Sequence, residues 1–545
     1  MARTPRPHWA SFAAVAAGIG LCAYLATGNL HFTYDDFELY LADVTNPLLP
    51  ALVAKLGRHA RLGAELYNTA VVHLFGLERR ALFATAIVWH LLGTGLFGAT
   101  LATAFPARRT AVGLATALAF AMPVLTATTY IGFLDCARVA MVLAWAGMWA
   151  LVSWARRPDR LWPLVAAMLA FFASFTVYEN GLPLIVVAPL LMLSARGFVL
   201  PERRPVVRLA AAVAALATVM AGYRWGLGFV DVAASKYAGL AAGEAMAAFS
   251  ADFAGHLAEA ASVLPGDGWS ALAGLATAVA TLAVGWPARS DAAPQARRGA
   301  LAMAAAGTGM ALVGLVPYVA AGFTPKPGWD QAVRVYSSAS YGIALLLAAP
   351  AAVPGLARVV ATAAAALAGL WVVHWFELRR DWSAAADAQC RLWSSLFAAV
   401  PAVEEGTNFV LIDVPQRLGR IPVVVGSDNI RAFMQLAYKT RDDRRQIYTV
   451  FASSTPVSNR LAVTAAGIRT PDMNVDRPLP LDRLVIVERV GDNLQVRDRI
   501  GRDAALSIDW TGPDEIATNH ALIRSSRPGQ PFVERARLLG GRCSG

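Results

Sequence analysis

The chain has 545 residues, of which 57% are hydrophobic and 16% are charged, and its formal net charge is +11. Because soluble domains carry about 25% charged residues, this composition excludes an ordinary soluble globular protein. The positive charge is distributed over short loops and forms no lysine- or arginine-rich run, which argues against a nucleic-acid-binding protein.

Hydrophobic blocks of about 17–23 residues, each long enough to cross a bilayer, alternate with polar loops up to about residue 376. They predict a polytopic α-helical membrane domain over residues 1–376, with about eleven transmembrane helices. The first block resembles a signal peptide, but no convincing small-residue cleavage site follows it, so we expect an uncleaved first span. The expected spans are 10–29, 82–104, 110–128, 138–155, 161–177, 182–197, 206–225, 270–286, 299–321, 335–353 and 355–375.

Arginine is concentrated in alternate loops. With a cytoplasmic N-terminus, four successive basic loops fall on the cytoplasmic side, as the positive-inside rule requires. One further span would reverse the side assigned to the C-terminal part of the chain. We expect an integral protein of a bacterial inner membrane, with the C-terminal domain outside the cytoplasm. The opposite, outer face then holds the loop 31–81, the turn 178–180, the loops 226–269 and 322–334, and the C-terminal domain.

Beyond residue 376 the composition becomes that of a globular domain. Apolar runs at 409–413, 421–425, 447–451 and 484–488 read as strands, and 428–440 reads as a helix, which predicts an α/β domain over residues 377–545. This domain has no phosphate-binding glycine loop and no nucleophile elbow. Its cysteines, Cys390 and Cys543, could form a disulfide if the domain lies outside the cytoplasm.

The first outer loop contains apolar residues at helical spacing over 48–56. They predict a helix that lies in the membrane interface or, alternatively, a buried loop helix. Asp35 and Asp36 precede this helix, directly after the first span. Such a pair can act as a general base that deprotonates an acceptor hydroxyl, or as a metal ligand. The alternative is a solvated pair that caps a following helix.

Glu179 lies in a short turn between two apolar segments. A carboxylate at the mouth of a helix pair is costly without a partner, which favours a functional role over a simple exposed turn residue. Lys326, Arg334 and Tyr336 lie at the entry of a late span on the same outer face. Arginine suits bidentate contact with phosphate, and a neighbouring tyrosine can hydrogen-bond it. The alternative is an arginine that only extends from a helix end to the interface.

Three further polar residues are weaker candidates for a supporting role. His90 reads as a polar group in a helix interface, whereas Asp135 and Arg138 can form an ion pair on the outer turn. Together with the acids of the outer loops and Arg334, they place several polar and charged side chains on one side of the membrane. That convergence favours an active site.

Six short stretches follow one another in order between residues 30 and 350. They are Tyr34-Asp-Asp-Phe37, His73-Leu-Phe-Gly-Leu77, Trp89-His-Leu-Leu92, Phe120-Ala-Met-Pro123, Tyr178-Glu-Asn-Gly-Leu-Pro183 and Arg334-Val-Tyr336. In this order they resemble the GT-C superfamily of membrane glycosyltransferases, closest to its protein-mannosyltransferase-like branches. The resemblance implies a GT-C-like membrane fold that transfers a sugar from a polyprenyl-phosphate donor to a glycan, lipid or protein acceptor.

The resemblance also implies roles for individual residues. An acid of the first outer loop, Asp36 or Asp35, would be the catalytic base, and Glu179 would orient the site or contact the acceptor. No metal is required, although two adjacent acids could hold a divalent ion.

The donor phosphate would be held by Arg334, with help from Lys326 and Tyr336. The competing interpretation is a non-catalytic polytopic protein, such as a lipid or polysaccharide transporter or a glycan-binding assembly factor. Transporters often contain internal repeats and helices broken near the midplane of the bilayer. No convincing repeat is visible and the acids fall at one face, which favours the enzyme.

Overall fold

The structure is a computed structural model of the chain. It describes residues 9–27, 30, 47–56, 61–76, 78–131, 135–226, 242–286, 296–320, 329, 331–353, 355–404, 406–424, 427–438, 449–453, 461–469, 478–502, 504 and 506–524. The chain folds into two compact units. The first comprises Met1–Thr27, Leu52–Ala70 and Phe83–Arg379, and the second comprises Gly28–Ala51, Val71–Leu82 and Arg380–Gly545. The domain boundary expected at residue 376 remains a prediction.

Helices dominate the first unit. The helices of the described chain are α1 (Trp9–Ala26), α2 (Leu48–Leu56), α3 (Leu62–Phe75), α4 (Arg79–Ala104), α5 (Arg109–Ala121), α6 (Pro123–Ala127), α7 (Asp135–Arg156), α8 (Trp162–Val177), α9 (Leu184–Ala195), α10 (Arg203–Gly226), α11 (Ala242–Ser262), α12 (Gly268–Gly285), α13 (Ala296–Ala320), α14 (Ser337–Ala348), α15 (Ala357–Ala399) and α16 (Ser427–Tyr438).

Within the described residues, eight helical segments are long and apolar enough to cross a membrane. They are Arg79–Ala104, Arg109–Tyr130, Asp135–Arg156, Arg203–Tyr223, Gly268–Gly285, Arg297–Val319, Val333–Ala352 and Ala357–Ala399. Three shorter apolar helices accompany them, Phe12–Ala26, Trp162–Val177 and Glu179–Ala195. Together they fall on the eleven hydrophobic blocks of the sequence. The expected polytopic helical membrane fold is therefore confirmed, and the chain is an integral membrane protein.

Proline and a capping box set two helix boundaries. Met122 has an extended backbone (ψ 118°) between α5 and α6, because the residue before a proline disfavours the helical region, and Pro123 then begins α6. The side chain of Asp267 accepts a hydrogen bond from the backbone N–H of Ser270 at 2.7 Å and so caps α12. The pKa of Asp267 lies below its usual value, chiefly because this hydrogen bond stabilises the carboxylate. Partial desolvation raises the pKa, and the charge of Arg379 lowers it further.

Predicted outer loops contain three described helices: α2 and α3 lie within the loop 31–81, and α11 lies within the loop 226–269. Only α2 was expected as a helix. The sequence predicts a loop over 226–269, whereas residues Ala242–Ser262 form α11. The helix buries Ala245, Phe249, Phe253 and Ala260, which lie on one face at intervals of four or seven residues. Acidic residues between these positions hide the helical period in the sequence.

Aromatic side chains from separate helices fill the interior of the first unit. Phe97 of α4, Trp145 of α7 and Tyr341 of α14 pack mutually, with ring centroids 4.9–5.2 Å apart. All three rings are buried. Such a packed core holds the ends of these helices in fixed positions, and those ends carry the polar residues described below.

The second unit contains small β-sheets. Its four-stranded sheet has the strand order β5 (Thr449–Ala452), β2 (Asn408–Ile412), β8 (Leu484–Val490) and β9 (Asn493–Val496). Strand β2 is parallel to β5 and β8, and β8 is antiparallel to β9. Every residue of β2 is buried, as expected for the central strand of a parallel sheet. The strands are β1 (Ala402–Val403), β2 (Asn408–Ile412), β3 (Arg417–Leu418), β4 (Ile421–Pro422), β5 (Thr449–Ala452), β6 (Leu461–Thr464), β7 (Gly467–Arg469), β8 (Leu484–Val490), β9 (Asn493–Val496), β10 (Arg499–Gly501), β11 (Ile508–Trp510), β12 (Glu515–Ala517) and β13 (Ile523–Arg524).

The parallel sheet and α16 confirm the predicted α/β fold of the C-terminal region. The predicted strand at 421–425 is shorter than expected, because only Ile421 and Pro422 pair, in a hairpin with β3. Cys390 is disulfide-bonded, and Cys543 lies outside the described residues.

Candidate active site

Three of the predicted site residues lie outside the described part of the chain. These are Asp35, Asp36 and Lys326. Their proposed roles as base and as phosphate ligand remain predictions from the sequence. The other predicted residues, Glu179, Arg334, Tyr336, His90, Asp135 and Arg138, are all described.

Glu179 lies on a backbone turn that is held against α7. α8 ends at Val177, and Glu179–Gly181 form a single 3-10 turn before α9. The amide of Asn180 donates to the carbonyl of Ala137 at 3.3 Å. A Cβ atom at Gly181 would lie only 2.6 Å from the Cβ of Ala144, so the turn needs a glycine to approach α7 this closely. The position of Glu179 is therefore fixed by its neighbours.

Glu179 forms an ion pair with Arg61, a residue that the sequence did not single out. Nη2 of Arg61 lies 3.0 Å from Oε2 of Glu179, and Nε donates to the same oxygen at 3.1 Å. The guanidinium also lies 4.2 Å from the ring centroid of Tyr178. The two residues are 118 positions apart, so local sequence spacing could not reveal the pair.

Asp135 and Arg138 form a second ion pair at the first turn of α7. Asp135 also accepts hydrogen bonds from Thr85 at 2.7 Å and from the hydroxyl of Tyr67 at 3.4 Å. The indole of Trp89 donates to that hydroxyl at 2.8 Å. Burial and the nearby Asp135 raise the pKa of Tyr67 above its usual value, so the hydroxyl stays protonated and can donate.

Arg138 differs from the other charged groups because some of its buried donors have no hydrogen-bond partner among the described residues. Arg138 is only 8% exposed, and its Nε and Nη2 atoms are buried without a hydrogen-bond partner among the described residues. Buried polar groups in native proteins are almost always paired, and an unpaired one calls for an unseen ligand or water. Two free donors of one guanidinium fork are suited to an oxyanion such as phosphate.

Arg138 and Arg334 line the same small cavity. Nε2 of His90, which also faces this cavity, donates to the backbone carbonyl of Phe120 at 2.8 Å. Glu179 and Tyr336 are not among the described residues that line it. The polar and aromatic part of the lining consists of Trp89, His90, Thr128, Arg138, Arg334, Ser337 and Tyr341.

The two ion pairs and the cavity lie close together. Asn180, which follows Glu179, donates to the carbonyl of Ala137, and Ala137 lines the cavity together with Arg138 and Arg334. Within the described residues, this group therefore contains the guanidinium groups of Arg61, Arg138 and Arg334 and the carboxylates of Asp135 and Glu179.

Tyr336 points to a different neighbourhood from Arg334. Its hydroxyl donates to Asp252 of α11, and its ring stacks on Phe253 with centroids 4.8 Å apart. In the same region, Trp329 donates to Glu259 at 2.9 Å and packs against His256 with centroids 4.6 Å apart. The sequence predicts only a loop over 226–269, so it does not single out these acids as site residues.

In the part of the chain that the structure describes, no group of three or more His, Cys, Asp or Glu side chains is placed to hold a metal ion. The carboxylates of the two ion pairs each have an arginine partner. The chemistry that this arrangement offers is therefore anion binding by guanidinium groups at the ends of membrane helices.

No protein-family model matches the chain, and no curated protein sequence matches it. One similar solved structure is the crystal structure of ArnT from Cupriavidus metallidurans bound to undecaprenyl phosphate. The identity is 14%, the similarity covers 83% of this chain and 96% of that chain, and the TM-score is 0.34. A likeness this low carries no argument about this chain. Its fold class rests on its own helices and strands.

Proposed function

We propose that the chain is an integral membrane glycosyltransferase that moves a sugar from a polyprenyl-phosphate donor to an acceptor on the extracytoplasmic face. Two observations carry the proposal: Arg138 and Arg334 line one cavity, and two donors of Arg138 are buried without a hydrogen-bond partner among the described residues. The ordered motifs that resemble GT-C enzymes supply the reaction class.

The reaction needs positive charge where the donor phosphate departs. The acceptor hydroxyl attacks the anomeric carbon, the bond between that carbon and the phosphate oxygen breaks, and negative charge develops on the leaving phosphate. Guanidinium groups in a buried site stabilise this charge strongly, because water is excluded there. Arg138 and Arg334 are the described residues that meet this need, and Lys326 is proposed to assist them. The hydroxyl of Tyr336 donates to Asp252, so we do not propose it as a phosphate ligand.

A base must also accept the proton of the acceptor hydroxyl. Asp36 or Asp35 is proposed for this role on the strength of the resemblance. Glu179 is held by Arg61 on a fixed turn, which suits a residue that orients the acceptor or the base. His90 and Asp135 would keep the cavity and Arg138 in position. The site would face the outside of a bacterial inner membrane, with residues 377–545 on the same side.

The test is transfer of radiolabelled sugar in membranes that contain polyprenyl-phosphate sugars. We expect transfer by the wild type, and a loss of about 100-fold or more when the base is replaced in Asp35→Asn or Asp36→Asn. Arg157→Gln is a control, because Arg157 is exposed and follows the C-terminal end of α7, away from Asp135 and Arg138. Wild-type activity in both acid variants would show that neither acid takes part in the reaction.

A non-catalytic transporter or glycan-binding assembly factor is the second candidate. Binding of lipid-linked sugar without any transfer, over a panel of donors, would favour it over the enzyme.

A further inference from the structure

A second group of arginines lies at the opposite end of the membrane helices from Glu179. Arg108 and Arg109 stand at the start of α5, and Arg297 and Arg298 stand in the first turn of α13. Arg108 connects the two helix starts, because its side chain lies against Gly299 of α13. A Cβ atom built at Gly299 would lie only 2.7 Å from Nε of Arg108. The missing side chain at this glycine therefore gives the guanidinium its space.

Arg108 does not extend into water as an ordinary loop arginine does. Arg108 is 6% exposed, and its Nη1 atom is buried without a hydrogen-bond partner among the described residues. The neighbouring Arg109, Arg297 and Arg298 are exposed. In the described chain, none of the four forms an ion pair with a carboxylate. Loop arginines that serve only to orient a membrane protein need no burial. The buried Nη1 donor of Arg108, which has no partner among the described residues, therefore favours a ligand at this position, and its positive charge favours an anionic one.

The surroundings of this arginine group are those of a membrane interface. Trp286 follows the C-terminus of α12 and is exposed, and the guanidinium of Arg358 lies 6.0 Å from its ring centroid. Exposed tryptophan and arginine side chains are typical of the level of the lipid headgroups. The end of α12 also packs on α5, since a Cβ atom at Gly285 would meet Leu114 at 2.2 Å.

We propose that Arg108, Arg109, Arg297 and Arg298 form a binding site for the phosphate group of an anionic phospholipid, on the membrane face opposite the candidate active site. Basic pockets between membrane helices are known to take such headgroups. In this site the exposed arginines attract the phosphate, and the free donor of Arg108 is the group that holds it. A free phosphate ion has the same chemistry, so the test must separate the two sources.

The experiment measures binding of phospholipids to the purified full-length protein in detergent, by native mass spectrometry. The probes are phosphatidylglycerol and cardiolipin, with phosphatidylcholine as the neutral comparison and inorganic phosphate as the free anion. We expect retention of the anionic lipids by the wild type and a loss of affinity of roughly tenfold in Arg108→Gln. Arg157→Gln, which removes an exposed arginine at the same end of the helices, should bind as the wild type does.

A second variant distinguishes loss of the binding site from a general loss of positive charge. Gly299→Ala leaves all four arginines in place but directs a methyl group at the guanidinium of Arg108, so it should also weaken binding of the anionic lipids. Competition by inorganic phosphate would identify a site for phosphate groups in general, and the absence of competition would identify a lipid site; both support the proposal. Equal retention of phosphatidylcholine, or unchanged binding in both Arg108→Gln and Gly299→Ala, would overturn it.

Discussion

The ion pair of Asp135 with Arg138 gives the sharpest test of the described geometry. Both side chains are nearly fully buried, at 3% and 9% exposed. Removing one member of such a pair leaves the other charge buried and costs about 3–5 kcal/mol. Asp135→Asn and Arg138→Met should each lower the free energy of unfolding by this amount. The acid has two further hydrogen-bond donors, Thr85 and Tyr67, so Arg138→Met should be the milder of the two variants.

The assay is denaturant unfolding of the purified protein in mild detergent, followed by tryptophan fluorescence. The double variant, Asp135→Asn with Arg138→Met, should cost clearly less than the sum of the two single variants, because neither change then leaves a lone charge behind. The control Arg157→Gln should stay within about 0.5 kcal/mol of the wild type. If each single variant costs less than about 1 kcal/mol and the two effects add, the pair is not buried as described.

Three further outcomes follow from the described contacts. Gly181→Val should lower the thermal midpoint in the same detergent and cost at least about 1–3 kcal/mol, since its side chain would overlap α7; an unchanged midpoint would contradict the close approach. Asp267→Ala should cost about 0.5–2 kcal/mol near neutral pH by removing the cap of α12. The pKa of Asp267 is lower in the folded state, so its contribution is present above the unfolded pKa of about 3.9 and disappears as the pH falls through the folded value; a stability difference that does not shrink in acid would contradict this. Glu179→Gln should change stability by less than about 1 kcal/mol, because the pair with Arg61 is half-exposed, but should reduce sugar transfer in the membrane assay; full transfer would exclude Glu179 from the site.

The helical part of the fold was predictable because a membrane helix is specified by local composition alone. Length and hydropathy were sufficient for all eleven apolar blocks. The same reasoning failed for Ala242–Ser262, where Phe249 and Phe253 mark a buried face but Asp252 and Glu259 make the segment read as an acidic loop. An amphipathic helix of this kind is found by periodicity and not by mean hydropathy.

The candidate site was predictable in its residue types but not in its pairing. Glu179 stood out because a carboxylate at a helix mouth needs a partner, yet that partner, Arg61, is distant in sequence. Asp135 and Arg138 stood out less in the sequence. Their importance comes from their burial, and that burial depends on how α4, α7 and α14 pack, which the sequence does not show. Tyr336 was grouped with Arg334 because it is close in sequence, whereas its hydroxyl bonds to Asp252.

The central claim is that Arg138 and Arg334 hold the phosphate of a polyprenyl-phosphate ligand. Its most direct test is the affinity of purified protein for polyprenyl phosphate, measured by native mass spectrometry for the wild type, Arg138→Gln, Arg334→Gln and the control Arg157→Gln. We expect binding by the wild type and the control, and a loss of about tenfold or more in each cavity variant. Wild-type affinity in both cavity variants, with folded protein in each sample, would contradict the claim.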